Sequence, residues 1–158
     1  MRQRENIGNA RVVAVCVSER KGERKTPVPS VRLVENHGVA GDAHAGVWHR
    51  QVSLLAVESI EKMRRKGLNV SAGDFAENIT TEGIQLMDLP VGARLCLGDA
   101  VLEVTQIGKV CHTRCAIYHQ AGDCVMPREG IFAKVLQPGV VRPGDAVGRI
   151  PSKMERAS

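Results

Sequence analysis

Short apolar segments separated by turn residues run along most of this chain, and they limit its fold more than any other feature. Each segment is rich in valine, leucine or isoleucine and ends near glycine, proline or aspartate, which is typical of β-strands joined by tight turns. Strands at this spacing predict a mainly β fold, a closed or nearly closed β-barrel with one or two peripheral helices. The predicted strands are Arg11–Ser18, Val28–Val34, Gln51–Leu55, Phe75–Thr81, Ala93–Leu97, Ala100–Thr105, Phe132–Leu136 and Val140–Ile150.

The first two predicted strands are expected to pair as a hairpin across the charged stretch 19–26, with Pro29 at an edge. A helix is predicted where Val57, Ile60 and Met63 recur at helical spacing, and Gly67 marks its end. A chain of 158 residues makes about one domain. We therefore predict a single domain over residues 1–158, with its core at about 10–150 and a frayed tail at 151–158.

The net charge of +5 is concentrated at the two ends of the chain. Residues 1–27 contain seven basic and three acidic residues, and residues 28–150 are neutral overall. Only four side chains are aromatic. A nucleic-acid-binding protein normally carries a basic face or a stacking platform, so we expect no nucleic-acid partner.

No apolar run approaches the roughly 20 residues that a membrane-spanning helix needs, and no signal-peptide core is apparent. We therefore expect a cytoplasmic protein with no membrane association. The five cysteines form an odd set, which favours free thiols or metal ligands over a disulfide framework.

The densest group of reactive side chains lies between residues 109 and 124. On a helix, Cys111, Cys115 and His119 would share one face, and Cys124 could approach after the following turn. Such a set could hold a tetrahedral zinc ion. The alternative is that Cys115 and Cys124 are small buried apolar residues, because free cysteine is among the most buried residue types.

Cys111 differs from the other cysteines because it closely follows the strand Ala100–Thr105. A nearby Lys109, His112 or Arg114 would favour its thiolate form. A thiolate is what a soft metal ligand or a nucleophile requires. The alternative is a packed thiol with no chemical role.

Two further polar clusters precede this region. In the first, His44 and the neighbouring His49 could bind metal or move protons, and Arg50 could bind a phosphate through two hydrogen bonds. The second, between Gly73 and Gly83, places a carboxylate, an amide and hydroxyl groups in a glycine-bounded turn. Solvated loop residues and turn caps are the alternatives for both clusters. The common phosphate-loop, dinucleotide, serine-hydrolase and zinc-protease motifs are absent.

Taken in chain order, these motifs resemble the MOSC domain family, named after the C-terminal domain of molybdenum-cofactor sulfurases. The resemblance covers about residues 10–150 and is closest to a short, stand-alone bacterial form. It is carried by Gly41-Asp42-x-His44 with Arg50-Gln51-Val52, by Gly73-x-Phe75-x-Glu77-Asn78-Ile79-Thr80-Thr81-x-Gly83, and by Leu97-Gly98-Asp99-Ala100 leading to Val104-Thr105-Gln106 and Cys111.

The resemblance implies a barrel-like β fold and a site for the molybdenum cofactor, a pterin dithiolene with an anionic phosphate. It implies that Cys111 binds molybdenum, or carries sulfur to the cofactor as in the sulfurases. Candidates to contact the phosphate and pterin are Arg50, Asn78, Thr80 and Lys109, while Asp42 and His44 match the family's loop motif. At position 76, where the family often has glycine, this chain has alanine.

The first functional hypothesis is therefore a protein of cofactor biosynthesis that carries, inserts or modifies the molybdenum cofactor. An alternative is the catalytic subunit of a molybdenum-dependent reductase of N-hydroxylated compounds. A second alternative is a zinc-stabilised binding module built on the 111–124 cluster. Sulfur or electrons would have to come from a partner, and the acceptor would be an apo-molybdoenzyme. A homodimer is expected only from the general frequency of such assemblies.

Overall fold

The computed structural model describes residues 10–20, 23–108 and 129–150. They form eleven strands, one α-helix, α1 (Val57–Arg65), and a short 3-10 turn (Leu86–Asp88). The strands are β1 (Arg11–Val17), β2 (Thr26–Val28), β3 (Val31–Val34), β4 (Gly38–Val39), β5 (Val52–Ala56), β6 (Ile79–Glu82), β7 (Arg94–Leu97), β8 (Ala100–Ile107), β9 (Ile131–Gln137), β10 (Gly139–Val141) and β11 (Val147–Ile150). The mainly β prediction is confirmed.

The strands are divided between two sheets. The larger has the order β11-β7-β8-β9-β5-β6-β1-β2, and the smaller has the order β10-β3-β4. Neighbouring strands are antiparallel except β5 and β6, which are parallel and are joined through α1. A parallel pair needs a crossover connection, and a helix commonly supplies it.

Hydrogen bonding closes neither sheet within the described residues, so the predicted barrel is not confirmed. The larger sheet keeps β11 and β2 as its edges. Near one edge, the backbone N–H of Val12 donates to the carbonyl oxygen of Asp145 at 2.8 Å, and Arg11 forms an isolated bridge with Ala146. The start of β1 therefore approaches the turn before β11 without forming a continuous ladder with it.

Of the predicted second strand of the hairpin, Val28–Val34, only Val28 pairs with β1. β2 pairs with β1, whereas β3 leaves the larger sheet and pairs with β4 and β10. Pro29 and Ser30 separate β2 from β3. Proline has no backbone N–H with which to extend the ladder, which is consistent with the chain changing sheets here.

The apolar residues form two main clusters that meet at β5, which is buried along its whole length. The larger cluster joins side chains from both sheets, including Leu54, Val104 and Ala133. The smaller cluster packs α1 on the opposite face of the large sheet and consists of Leu55, Ile60, Met63, Val70, Phe75 and Phe132. The predicted helix is confirmed, and its buried residues include the expected Ile60 and Met63.

Candidate functional site

The loop between β4 and β5, residues 40–51, contributes polar side chains to two separate clusters. We name the first the Lys25 cluster, formed by Ser18, Lys25, Asp42 and His44. The second is the Arg50 cluster, formed by His49, Arg50 and Gln106. Both contain a cation and a histidine, but they differ in burial and in what their donors contact.

In the Lys25 cluster the lysine ammonium is fully enclosed. Lys25 Nζ lies 2.8 Å from Asp42 Oδ1, 3.1 Å from Ser18 Oγ and 3.0 Å from His44 Nδ1. The side chains of Lys25 and Asp42 have no solvent exposure. An ammonium has three donors and no acceptor. All three donors are therefore used, and His44 Nδ1 must accept, which places the ring hydrogen of neutral His44 on Nε2.

Asp42 is the acceptor that holds this cluster together. Oδ1 accepts from the Ser18 backbone N–H at 3.0 Å, and Oδ2 accepts from the His44 backbone N–H at 3.1 Å. Burial raises the pKa of Asp42, but hydrogen bonds from Lys25, Ser18 and Asn78 and the charge of Lys25 outweigh burial, so the pKa lies below its usual value. Asp42 is therefore ionised at neutral pH and pairs with the buried ammonium.

Sequence reasoning missed Lys25, which it counted only among the basic residues near the N-terminus. Its position depends on a close backbone contact with Gly73: the Lys25 N–H donates to the Gly73 carbonyl at 2.8 Å. A Cβ at Gly73 would lie 2.2 Å from the Lys25 carbonyl oxygen, and Gly73 has a φ of +91°. The glycine that opens the 73–83 motif is thus required by the approach of Lys25.

Asn78 and Thr80 both lie in the protein interior, with no solvent exposure. The Asn78 amide oxygen accepts from the Ser53 backbone N–H at 3.0 Å, and its Nδ2 donates to the Cys16 carbonyl at 3.2 Å. Thr80 Oγ1 donates to Glu77 Oε2 at 2.9 Å. These side chains hold β6 and the turn before it against β5 and β1.

Glu77 is a buried carboxylate at the centre of that turn. Its Oε1 accepts from the Phe75 backbone N–H at 3.2 Å, in addition to the hydrogen bond from Thr80. Burial raises the pKa of Glu77, and the hydrogen bonds that favour its ionised form only partly offset this. The preceding residue, Ala76, has a φ of +63°, the left-handed conformation that favours glycine.

In the Arg50 cluster one amide oxygen serves two donors. Gln106 Oε1 lies 3.0 Å from Arg50 Nε and 3.0 Å from His49 Nε2. The Arg50 guanidinium lies over the Phe132 ring, 5.1 Å from its centroid, which is a cation–π contact. Among the described residues, no protein acceptor contacts the terminal nitrogens of Arg50.

Cys111 and Lys109 lie outside the described residues, as do Cys115, His119 and Cys124. The described chain stops at Gly108, whose carbonyl accepts from Gln106 Nε2 at 2.7 Å. The Gly108 N–H donates to the Gly130 carbonyl at 2.7 Å. The Arg50 cluster therefore adjoins the point where the segment carrying Cys111 begins.

Within the described residues no cysteine is exposed and no set of possible metal ligands is grouped. Cys16 and Cys96 are both buried, and burial raises the pKa of the Cys16 thiol to about 12. Across residues 10–20, 23–108 and 129–150, no group of three or more His, Cys, Asp or Glu side chains is arranged to hold a metal ion. In those same ranges no helix is long and apolar enough to cross a membrane.

The fold and the motif order together define a β protein of the MOSC class. The MOSC domain family matches residues 41–148, more than half of the chain. The chain belongs to the MOSC domain family. No curated protein matched it in sequence.

Solved structures share this fold. The YuaD protein from Bacillus subtilis aligns over 94% of this chain and 98% of its own, with a TM-score of 0.75 and 18% identity. YiiM from Geobacillus stearothermophilus aligns over 89% of this chain and 75% of its own, with a TM-score of 0.67 and 23% identity. YiiM from Escherichia coli aligns over 92% of this chain and 71% of its own, with a TM-score of 0.66 and 18% identity. At these identities the likeness is one of fold.

Proposed function

We propose that this protein binds the molybdenum cofactor and carries, inserts or modifies it, with Cys111 as metal ligand or sulfur carrier. Membership of the MOSC family supports a link to this cofactor. The observation that carries the proposal is the Arg50 guanidinium, whose terminal nitrogens have no protein acceptor among the described residues, at the base of the segment containing Cys111.

The donor chemistry of the described residues fits the anionic part of the cofactor. When bound, the cofactor supplies a molybdenum held by a pterin dithiolene, together with a phosphate. An arginine presents a planar pair of donors that matches a phosphate. We assign phosphate binding to Arg50 together with Lys109, and metal binding or sulfur transfer to the Cys111 thiolate.

The buried candidates are assigned supporting roles in this proposal. Asp42 and Asn78 hold the backbone of the 40–51 loop and the 73–80 turn in place, and Thr80 fixes the Glu77 carboxylate. His44, held by Lys25 and partly exposed, is the member of the Lys25 cluster assigned to meet the pterin. We place the protein in the cytoplasm, with an apo-molybdoenzyme, a sulfur donor or an electron-transfer protein as its partner.

Metal analysis of protein made in a cofactor-producing host tests the proposal. Mass spectrometry would compare the wild type with Cys111→Ser and with the matched control Cys115→Ser. We expect molybdenum and pterin in the wild type and in Cys115→Ser, and neither in Cys111→Ser. Molybdenum content unaffected by Cys111→Ser would overturn the role of this thiol.

The same preparations separate the alternatives. Zinc close to one per chain without molybdenum, with unfolding on chelation, would favour the zinc module over the cofactor proposal. Turnover of an N-hydroxylated substrate by loaded protein and a reductase would identify a reductase. Transfer of the cofactor to an apo-enzyme without turnover would identify a carrier.

A further inference from the structure

Strand β8 contains a bulge at Thr105. Val104 pairs with Ala133, but Gln106 pairs with Phe132, so two steps along β8 correspond to one step along β9. Side chains alternate between the faces of a regular strand, and an extra residue reverses that alternation beyond the bulge. The bulge therefore decides which face of the sheet Gln106 occupies.

Without the bulge, Gln106 would share the face of Val104, whose side chain is buried in the larger apolar cluster with Ala133. With the bulge, Gln106 lies opposite Phe132, on the face that packs against α1. Arg50 lies over the ring of this same Phe132. The extra residue thus moves an amide out of the apolar core and beside a guanidinium.

Both residues at the bulge contact the same loop. Thr105 Oγ1 donates to the His49 carbonyl, and Gln106 Oε1 accepts from Arg50 Nε. Consecutive side chains of a regular strand face opposite ways and could not both do this. The Val-Thr-Gln motif therefore holds the backbone of the loop at one residue and its arginine at the next.

We propose that Gln106 is a positioning residue that orients Arg50 to bind a phosphate group. Gln106 accepts from Nε, and the guanidinium carbon lies over the Phe132 ring, so the guanidinium is held in place while its terminal nitrogens meet no acceptor among the described residues. A side chain ordered before binding loses less conformational entropy when the ligand arrives. This inference rests on the proposed function in naming the cofactor phosphate as the natural ligand.

Titration with inorganic phosphate, followed by nuclear magnetic resonance at the Arg50 Nε–H signal, tests the proposal without any cofactor. Arg50→Lys assigns the signal and should abolish the arginine-dependent binding. Gln106→Met keeps the side-chain length but removes the acceptor. We expect it to weaken phosphate binding about two- to tenfold, the cost of ordering one flexible side chain, and to speed solvent exchange of the Nε–H.

Two further variants separate positioning from a general structural effect. Gln137→Met is the matched control, because Gln137 also donates to a backbone carbonyl, that of Asp99, from the neighbouring strand. It should leave phosphate affinity and the Arg50 signal unchanged. Gln106→Glu keeps an oxygen acceptor for Arg50 Nε and should preserve slow exchange, which remains measurable if Gln106→Met fails to fold.

The proposal is overturned if phosphate does not shift the Arg50 signal, if Gln106→Met matches the wild type, or if Gln106→Glu loses slow exchange. Phosphate binding that needs both Arg50 and Gln106 supports the positioning role of Gln106. Absence of pterin from protein made in a cofactor-producing host would overturn only the proposed function. If the wild type retains pterin but Gln106→Met leaves the phosphate affinity unchanged, the positioning role of Gln106 is overturned and the proposed function stands.

Discussion

The Lys25 and Arg50 clusters are built from similar groups but use them in opposite ways. In the Lys25 cluster every donor of the cation ends on another protein atom, and the paired carboxylate has no solvent exposure. In the Arg50 cluster the described residues accept a hydrogen bond from Arg50 at Nε alone, and the cation lies partly exposed over an aromatic ring. The first cluster has no donor left on Lys25 for a ligand, whereas within residues 10–20, 23–108 and 129–150 the terminal nitrogens of Arg50 meet neither an acceptor nor a counterion.

This difference indicates that the Lys25 cluster supports the loop, whereas the Arg50 cluster is suited to contacting a ligand. A buried ion pair that satisfies itself fixes the loop that carries it, but its net contribution to stability is reduced by the cost of removing both charges from water. A cation whose side chain is already ordered, and whose terminal donors contact no acceptor, can donate those hydrogen bonds to a ligand. The Lys25 cluster holds the first half of the 40–51 loop, and the second half of the loop carries the Arg50 cluster.

Removing one charge of the buried pair should have the largest effect. We expect Asp42→Ala to lower the free energy of unfolding by about 3–5 kcal/mol, because it leaves the Lys25 ammonium buried without a counter-charge. The double variant Lys25→Met/Asp42→Ala should recover much of this loss. Urea denaturation measures both. As a control, Glu82→Gln breaks the exposed Arg11–Glu82 pair and should cost about 0.2–1 kcal/mol.

Removing the partly exposed Arg50 cation should reduce cofactor binding much more than it reduces stability. Arg50→Ala should reduce the molybdenum and pterin content about tenfold or more, because a charged hydrogen-bond donor to the phosphate is lost. The free energy of unfolding should fall by only about 1–2 kcal/mol, because one cation–π contact and one hydrogen bond to Gln106 are lost. Arg94→Ala removes another partly exposed arginine, which pairs with Glu103, and should leave cofactor content unchanged. Equal cofactor content in both variants would count against the Arg50 site.

The pH dependence of stability should show opposite signs at the two buried carboxylates. The pKa of Asp42 is lowered from 3.8, so its stabilising contribution is complete above that value and is lost as the pH falls through the folded-state pKa. The gap between wild type and Asp42→Asn should therefore narrow on acidification. The pKa of Glu77 is raised from 4.5, so its contribution is complete below that value and is lost as the pH rises through the folded-state pKa.

Denaturation across a pH series would check both signs. Relative to Glu77→Gln, the wild type should lose stability as the pH rises, which is the reverse of its behaviour relative to Asp42→Asn at acidic pH. The same sign for both comparisons would contradict the direction of one of the two pKa shifts.

The smallest effect concerns the turn behind the Lys25 cluster. Ala76 adopts a φ of +63°, which costs an L-residue about 1–2 kcal/mol, whereas glycine costs about 0.5–1 kcal/mol in chain entropy. Ala76→Gly should therefore raise the free energy of unfolding by about 0.5–1 kcal/mol. Thermal denaturation measures the change. Ala43→Gly, at a position without positive φ, should instead destabilise the protein.

Much of the secondary structure followed from the sequence because its signals are local. Segments rich in branched apolar residues became strands, and the periodic run before Gly67 became the helix. The order of the motifs also indicated the MOSC family, which the match at residues 41–148 confirms. The roles predicted for Cys111 and Lys109 stay predictions, since both residues lie outside the described ranges.

The tertiary structure alone decided which strands share a sheet and which polar groups are enclosed. Local patterns did not show that β3 would join β10, or that Lys25 would be buried against Asp42. The Val-Thr-Gln motif is visible in the sequence. It did not show that Gln106 would lie on the opposite face of the sheet from Val104. Each of these outcomes depends on a partner distant in the chain, and the burial or register of a residue is set by that partner rather than by its sequence neighbours.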